Sequence, residues 1–405
     1  MTNRLRLFFL LLLYCIGTVF PAHAAVFRTG IDVLDADRCG VMRGKKVAFI
    51  TNAAALTFKG EPGYAVLLRN GVDLRFLMAP EHGFSVSVEA GKSVPGTVIG
   101  DALRVYSLYG ASKIPDESLL KSVDVVAFDL QDVGARCYTY ISTMMLAMEA
   151  CEKAGRTFMV LDRPNPVSPL APSGFMLEKG YESFVSAVDV PFLHGMTIGE
   201  IALFLQKSRF RTLRLQVIPM EGYDRRLFGD ELPGFTFRSP SPNIRNVETA
   251  IVYPATVMLE ATAVSEGRGT DLPFLQFGAP FIRTGELVRQ LALYELPGVV
   301  FRPADFTPVS GKFKGERCGG VRISVTDRKR FHPFATSAAI MLSLHRNYPE
   351  MLGLDKGTDF FDKLAGTSRF RRMIAADEPL SRIVDAANSN VEAFILNNRD
   401  VRLYP

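Results

Sequence analysis

The chain has no tryptophan, and only five histidines and five cysteines among its 405 residues. Without tryptophan, any sugar face must be met by Tyr106, Tyr109, Tyr138, Tyr140 or a phenylalanine. The few cysteines and histidines match no zinc spacing, which leaves no His/Cys metal set. Acids alone could hold magnesium or calcium, but nothing in the pattern requires an ion. No Gly-Lys-Ser/Thr phosphate loop and no Gly-x-Gly-x-x-Gly fingerprint occurs, so no nucleotide cofactor is expected. A Gly-x-Ser-x-Gly elbow is also missing, which disfavours a serine hydrolase. No Lys/Arg run marks a nucleic-acid surface.

The first residues read as a targeting segment. Arg4 and Arg6 form a basic start, Leu7 to Phe20 is apolar, and Pro21-Ala-His-Ala24 offers a small-x-small cleavage site. The apolar core is short for a membrane span, so residues 1–24 are expected to be a cleaved secretory signal, with a retained anchor as the second reading. The mature protein would then be periplasmic or secreted, with no stable membrane insertion. Cleavage removes Arg4 and Arg6 and no acid, which takes the formal charge from +5 to +3. Cys39, Cys137, Cys151 and Cys318 remain, and buried thiols are expected rather than a bridge. The oligomeric state is not fixed by the sequence.

What is present is a repeated pattern. Three times an apolar strand runs into a carboxylate: Leu74 to Glu81, Val123 to Asp129, and Thr157 to Asp162. Lys46 to Thr51 is a further buried strand, and Leu213 to Ile218 another. Helical spacing over Ser142 to Ala154 stops at Gly155, and Thr197-Ile-Gly-Glu200 is a capping box that opens a helix through Lys207. This alternation implies an α/β fold with a largely parallel, Rossmann-like sheet, followed by a smaller α/β C-terminal domain. The domains are placed at 25–253 and 254–405. Arg238 to Asn243 and Tyr253-Pro254 read as chain breaks, Gly285 to Tyr294 and Pro333 to Arg346 as helices, and Ser381 to Asn397 as a helical tail.

Parallel sheets build sites at the carboxyl ends of their strands, so the polar strand ends are the candidate residues. Glu81 and His82 precede a turn-permitting Gly83; a half-desolvated glutamate suits a general acid. Asp132, Arg136 and Tyr138 offer a carboxylate, a guanidinium and a ring to a sugar. Asp162, Arg163 and Asn165 lie in a proline-stiffened loop. His194 stands just before the capping-box helix. Glu266-Gly-Arg268-Gly brings backbone and guanidinium close to a ligand. Each has a plainer reading as a capping group, a loop-fixing ion pair or a strand end.

Taken in order, the strings Pro80-Glu-His-Gly83, Gln131-Asp-Val-Gly-Ala-Arg136 with Tyr138-Thr-Tyr140, Asp162-Arg-Pro-Asn-Pro166, His194-Gly-Met-Thr197, Ser241-Pro-Asn243, Ser265-Glu-Gly-Arg-Gly-Thr270, Phe277-Gly-Ala-Pro280 and Cys318-Gly-Gly320 resemble one family. It is the bacterial exo-β-N-acetylmuramidase family (NamZ-like, glycoside hydrolase family 171, formerly DUF1343). The resemblance runs from about Lys45 to the C-terminus. It implies a Rossmann-like catalytic domain, a C-terminal domain, and a cleft between them that releases N-acetylmuramic acid from the non-reducing ends of peptidoglycan glycans. The family's acidic residue maps onto Glu81, with His82 beside it. Asp132 is the first choice for the second carboxylate that glycoside hydrolysis usually needs, and Glu266 the next. Arg136, Arg163 and Arg268 are candidates for the lactyl carboxylate. Tyr138, Asp162, Asn165, His194 and Asn243 complete the implied substrate contacts.

Three strings depart from the family pattern: Ser85-Val86 for Arg-Gly, Ser168-Pro169-Leu170 for a Gly-Gly stretch, and Ala261-Thr262-Ala263 for Gly-Thr-Asn. They keep a second reading open, a periplasmic carbohydrate-binding protein that has lost catalysis. An esterase or deacetylase of wall sugars is a weaker third.

Overall fold

The computed structural model describes residues 27–100, 103–354 and 358–405. The signal segment lies outside the described residues. Among them, no helix is long and apolar enough to cross a membrane.

The N-terminal part is built on seven strands: β1 (Lys46–Thr51), β2 (Asp73–Ala79), β3 (Thr97–Ile99), β4 (Leu103–Ser107), β5 (Val125–Asp129), β6 (Thr157–Leu161) and β7 (Arg214–Ile218). They stand in the order β3-β4-β2-β1-β5-β6-β7. All neighbours are parallel except the edge strand β3, which runs antiparallel to β4. The central strands β1 and β5 are almost wholly buried. That explains their unbroken Val/Ala/Phe/Ile runs, since helices cover both faces of such a sheet. The chain leaves β1 in one direction for β2 and β4, and returns on the other side for β5, β6 and β7. This reversal is the topological switch point at which open α/β sheets form ligand crevices.

The helix Tyr140–Ala154 follows β5 and ends on Gly155 at φ 63°, a left-handed cap. The helix Ile198–Ser208 opens with the expected capping box between Thr197 and Glu200. The C-terminal part has an antiparallel sheet of β8 (Gln276–Ala279), β9 (Val299–Phe306) and β10 (Cys318–Val325), in the order β8-β10-β9. The buried helix Pro333–Asn347 belongs to this part. One continuous apolar core joins the two parts. Cys39, Cys137, Cys151 and Cys318 are all free and buried.

Two sequence expectations fail. Tyr253-Pro254 is no break: both residues lie inside the helix Val247–Thr256. Pro254 lies in the last turn of that helix, which passes directly into the 3-10 segment Val257–Ala261. The tail is not one helix but two, Leu380–Asn388 and Val391–Asn397, separated at Ser389-Asn390.

Candidate active site

Glu81 lies two residues beyond β2, at the carboxyl end of the sheet beside the switch point. Its side chain is held at both oxygens. The Gly91 N–H donates to Oε1 over 2.7 Å, and the Thr139 hydroxyl donates to Oε2 over 2.6 Å. The first bond needs the loop after β2 to fold back, which it does through left-handed residues at His82, Gly83, Val86 and Gly91. The second comes from the N-cap residue of the helix Tyr140–Ala154, whose hydroxyl makes no capping bond. Tyr109 lines the same cavity as Glu81, and burial followed by the Glu81 charge pushes its phenol well above the ordinary range.

His82 is buried beside Glu81. Its Nδ1–H donates to the Val88 carbonyl at 2.8 Å, which leaves Nε2 as the acceptor in the neutral ring. Burial holds its pKa below the usual histidine value, and the Arg268 charge works the same way against the opposing effect of Glu81.

These groups line a cavity of about 220 Å³ whose other walls include Tyr138, Ser241, Asn243, Tyr253, Glu260, Arg268 and Phe360. Through Ala90, Asn243, Glu260, Arg268 and Phe360 it is continuous with an open cleft of about 900 Å³, bordered by Glu266, Lys312 and the β9–β10 connection. The small chamber is thus formed jointly by the carboxyl end of the parallel sheet and by the C-terminal part. Its floor is aromatic: Tyr138 meets Tyr253 edge-on at 6.2 Å, and Tyr253 meets Phe274 at 4.8 Å. The Tyr138 hydroxyl is buried without a partner.

The C-terminal wall is a charge cluster. Arg268 pairs with Glu260 at 2.8 Å and approaches Glu266 at 3.6 Å, while Lys312 pairs with Glu266 at 3.2 Å. Burial raises the Glu260 pKa; Arg268 and Lys312 pull it back, and the Glu266 and Glu81 charges add to the rise.

Six of the twelve sequence candidates line this cleft: Glu81, His82, Tyr138, Asn243, Glu266 and Arg268. The other six are buried and line neither the chamber nor the open cleft. Asp132 accepts from the Gly134 N–H at 2.8 Å and faces His194 Nε2 at 3.2 Å. His194 Nδ1 accepts from the Met196 N–H, so its proton sits on Nε2, towards Asp132. Neither lines the cavity with Glu81, so Asp132 is not brought to the reacting position assigned to it, and His194 meets a carboxylate rather than a sugar hydroxyl. Arg136 is fully buried and donates to the Phe175, Val190 and Ala365 carbonyls over 2.7, 2.8 and 2.5 Å. It fastens the helix Thr358–Ala365, which carries Phe360 and Leu364 into the cavity wall.

Arg163 forms a buried two-pronged pair with Asp129. Asp162 accepts from the Arg163 and Gly199 amides and from the Thr197 and Tyr404 hydroxyls. Burial pushes its pKa up to about 6 against those donors. Asn165 donates to the Met196 carbonyl and accepts from the Val167 N–H. Strand-end polarity in β5 and β6 therefore stabilises loops, and only β2 delivers its carboxylate to the cleft. Glu260 and Thr139 were not singled out by the sequence, and Tyr109 only as one of the rings that could meet a sugar face. Glu260 directly precedes the Ala261-Thr262-Ala263 string that departs from the family pattern.

Residues 47–248 match the N-terminal domain of exo-β-N-acetylmuramidase NamZ, and residues 251–404 match its C-terminal domain. The chain belongs to the NamZ family. It is 41% identical over 382 residues to the peptidoglycan β-N-acetylmuramidase NamZ of Bacillus subtilis (strain 168), an alignment covering 93% of this chain and 91% of that protein. A DUF1343 family crystal structure from Bacteroides fragilis NCTC 9343 superposes with a TM-score of 0.86 at 32% identity, over 94% of this chain and 99% of that one. A second from the same organism gives 0.73 at 26% identity, over 93% and 99%. NamZ-family membership therefore extends through both the parallel-sheet part that carries Glu81 and the C-terminal part that carries Arg268.

Proposed function

We propose that this chain is an exported exo-acting muramidase in which Glu81 is the general acid. It is a glycoside hydrolase of the β-N-acetylmuramidase type and acts on peptidoglycan-derived glycans in cell-wall turnover. Its product is N-acetylmuramic acid, released from non-reducing ends. The observation that carries the acid assignment is the asymmetric hold on Glu81. The Gly91 N–H can only donate, so Oε1 stays an acceptor. The Thr139 hydroxyl can accept as well as donate, so Oε2 is the oxygen that can carry a proton without losing its partner. Protonated there, Glu81 can transfer that proton to the glycosidic oxygen as the C1–O bond breaks.

The small chamber supplies an aromatic floor for the sugar ring and a cationic group for the substrate's carboxylate. Of the three arginines named for that carboxylate, only Arg268 lines the cleft; Arg136 and Arg163 are committed to carbonyls and to Asp129. Asn243, at the junction of chamber and open cleft, is placed to bond a sugar hydroxyl. The test is turnover of a muramic acid–glucosamine disaccharide by the mature protein. Free N-acetylmuramic acid supports the reading. Tight binding without product would favour a carbohydrate-binding protein instead.

A further inference from the structure

We infer that Glu260 is the second carboxylate of the hydrolysis, the base that takes the proton of the attacking water, and that Arg268 and Lys312 are its positioning residues. The inference rests on the muramidase reading of the same site and adds to it the partner that Glu81 requires.

Three observations carry it. First, Glu260 and Glu81 line the same 220 Å³ chamber, whereas Glu266 borders only the outer cleft and Asp132 borders neither. Second, Glu260 has a free oxygen. Arg268 takes Oε1 at 2.8 Å, and among the described residues no donor takes Oε2. Glu266, by contrast, has Lys312 on Oε2 and Arg268 near Oε1. Third, the segment that carries Glu260 is pinned. Lys312 Nζ donates to the carbonyls of Leu259, Glu260 and Val264 over 2.8, 3.2 and 3.0 Å, which ties the 3-10 turn and the residues after it to one ammonium. A turn of this kind holds a catalytic side chain in one place only if its backbone cannot move.

The electrostatics fit a base. Glu260 faces Arg268 and Lys312 as cations and Glu266 and Glu81 as acids, with the Tyr253 phenol and Cys137 thiol near it in the wall. Burial makes it a stronger base than a solvated carboxylate, while the Arg268 pair keeps an ionised form accessible. The roles assigned here require the proton on Glu81 and an ionised Glu260 beside Arg268.

The step then balances. The water oxygen bonds to C1, and the electron pair of the C1–O bond passes to the leaving sugar oxygen. That oxygen takes the Glu81 proton, and Glu260 takes one proton from the water. Glu81 ends ionised and Glu260 protonated, and solvent exchange restores the pair.

The experiment compares the unmutated enzyme, Glu260→Ala, Glu260→Gln and Lys312→Met on an aryl muramoside, with and without sodium azide. Turnover by both Glu260 variants should fall at least ~100-fold, the usual contribution of a positioned acid or base. Azide needs no deprotonation to attack, so it should restore Glu260→Ala and form a glycosyl azide. Lys312→Met should lower kcat more than it changes KM, without azide rescue. Glu260 variants that keep rates within about threefold of the unmutated enzyme would overturn the inference. So would a loss in Glu260→Ala that azide does not restore, because that pattern marks a structural role. If Glu260→Ala does not fold, the near-isosteric Glu260→Gln decides the question by its rate alone. Inactivity of the unmutated enzyme would instead count against the muramidase reading itself.

Discussion

Thr139 is the N-cap of the helix Tyr140–Ala154, yet its hydroxyl bonds Glu81 Oε2 at 2.6 Å and makes no capping bond to its own helix. A residue that would ordinarily stabilise a helix end has been turned to the carboxylate proposed as the acid. Removing the hydroxyl should therefore affect rate more than stability. We predict that Thr139→Val lowers kcat by about tenfold, the equivalent of one lost hydrogen bond to a charged or reacting group, with thermal stability little changed. Thr139→Ser should retain most activity. The kinetics of the two variants, read beside their melting temperatures, check this.

Arg136 should behave in the opposite way. It is fully buried, and its guanidinium serves three carbonyls from three separate segments. Arg136→Met would leave those carbonyls without donors, and we predict a loss of roughly 3–5 kcal/mol in urea unfolding. Activity of the fraction that folds should suffer through the helix Thr358–Ala365 rather than through lost recognition of the substrate carboxylate. Arg268→Met should show the reverse balance, with a rise in KM, a fall in kcat through the lost pair with Glu260, and a smaller stability change.

The pH dependence of stability follows from Asp162. Its folded pKa, raised to about 6 by burial, lies above the ordinary carboxylate value of 3.8. Between those two values the folded state binds more protons than the unfolded chain, so stability falls as pH rises across that window and is level above it. The contribution is on the order of 2–3 kcal/mol at most. Asp162→Asn should remove the slope between about pH 4 and pH 6. Chemical unfolding at several pH values measures it.

Phe360 is a large side chain left 42% exposed where the chamber opens into the cleft. With no tryptophan in the chain, it is the ring best placed to meet a sugar face at that mouth. Phe360→Ala should raise KM by about three- to tenfold with kcat nearly unchanged. Steady-state kinetics on a disaccharide will show the split.

Much of this fold was legible locally. The buried runs at Lys46–Thr51 and Thr157–Leu161 coincide with β1 and β6, and the Thr197/Glu200 capping box opens the helix it announces. These features depend on neighbours within a few residues. The strands β3 and β4 were missed because their exposed edges carry too little apolar pattern. Asp162 was misread for a different reason. Its decisive partner, Tyr404, lies 242 residues away, and no local pattern distinguishes a carboxylate that binds the chain's own tail from one that binds a substrate. Arg136 and Ala365, 229 residues apart, repeat that lesson. The position of Glu81 at the cavity was legible because its string sits contiguously at a strand end. The position of Glu260 there was not, because its partners come from the Glu266–Gly269 loop and the β9–β10 connection.

The central claim is that Glu81 delivers the proton to the leaving sugar, and leaving-group dependence tests it most directly. Glu81→Gln should be compared with the unmutated enzyme on a muramic acid–glucosamine disaccharide and on a muramoside with an acidic aryl leaving group. The account predicts a loss of ~100-fold or more on the disaccharide and a much smaller loss on the aryl glycoside, which leaves without protonation. Equal rates for Glu81→Gln and the unmutated enzyme on the disaccharide would contradict it.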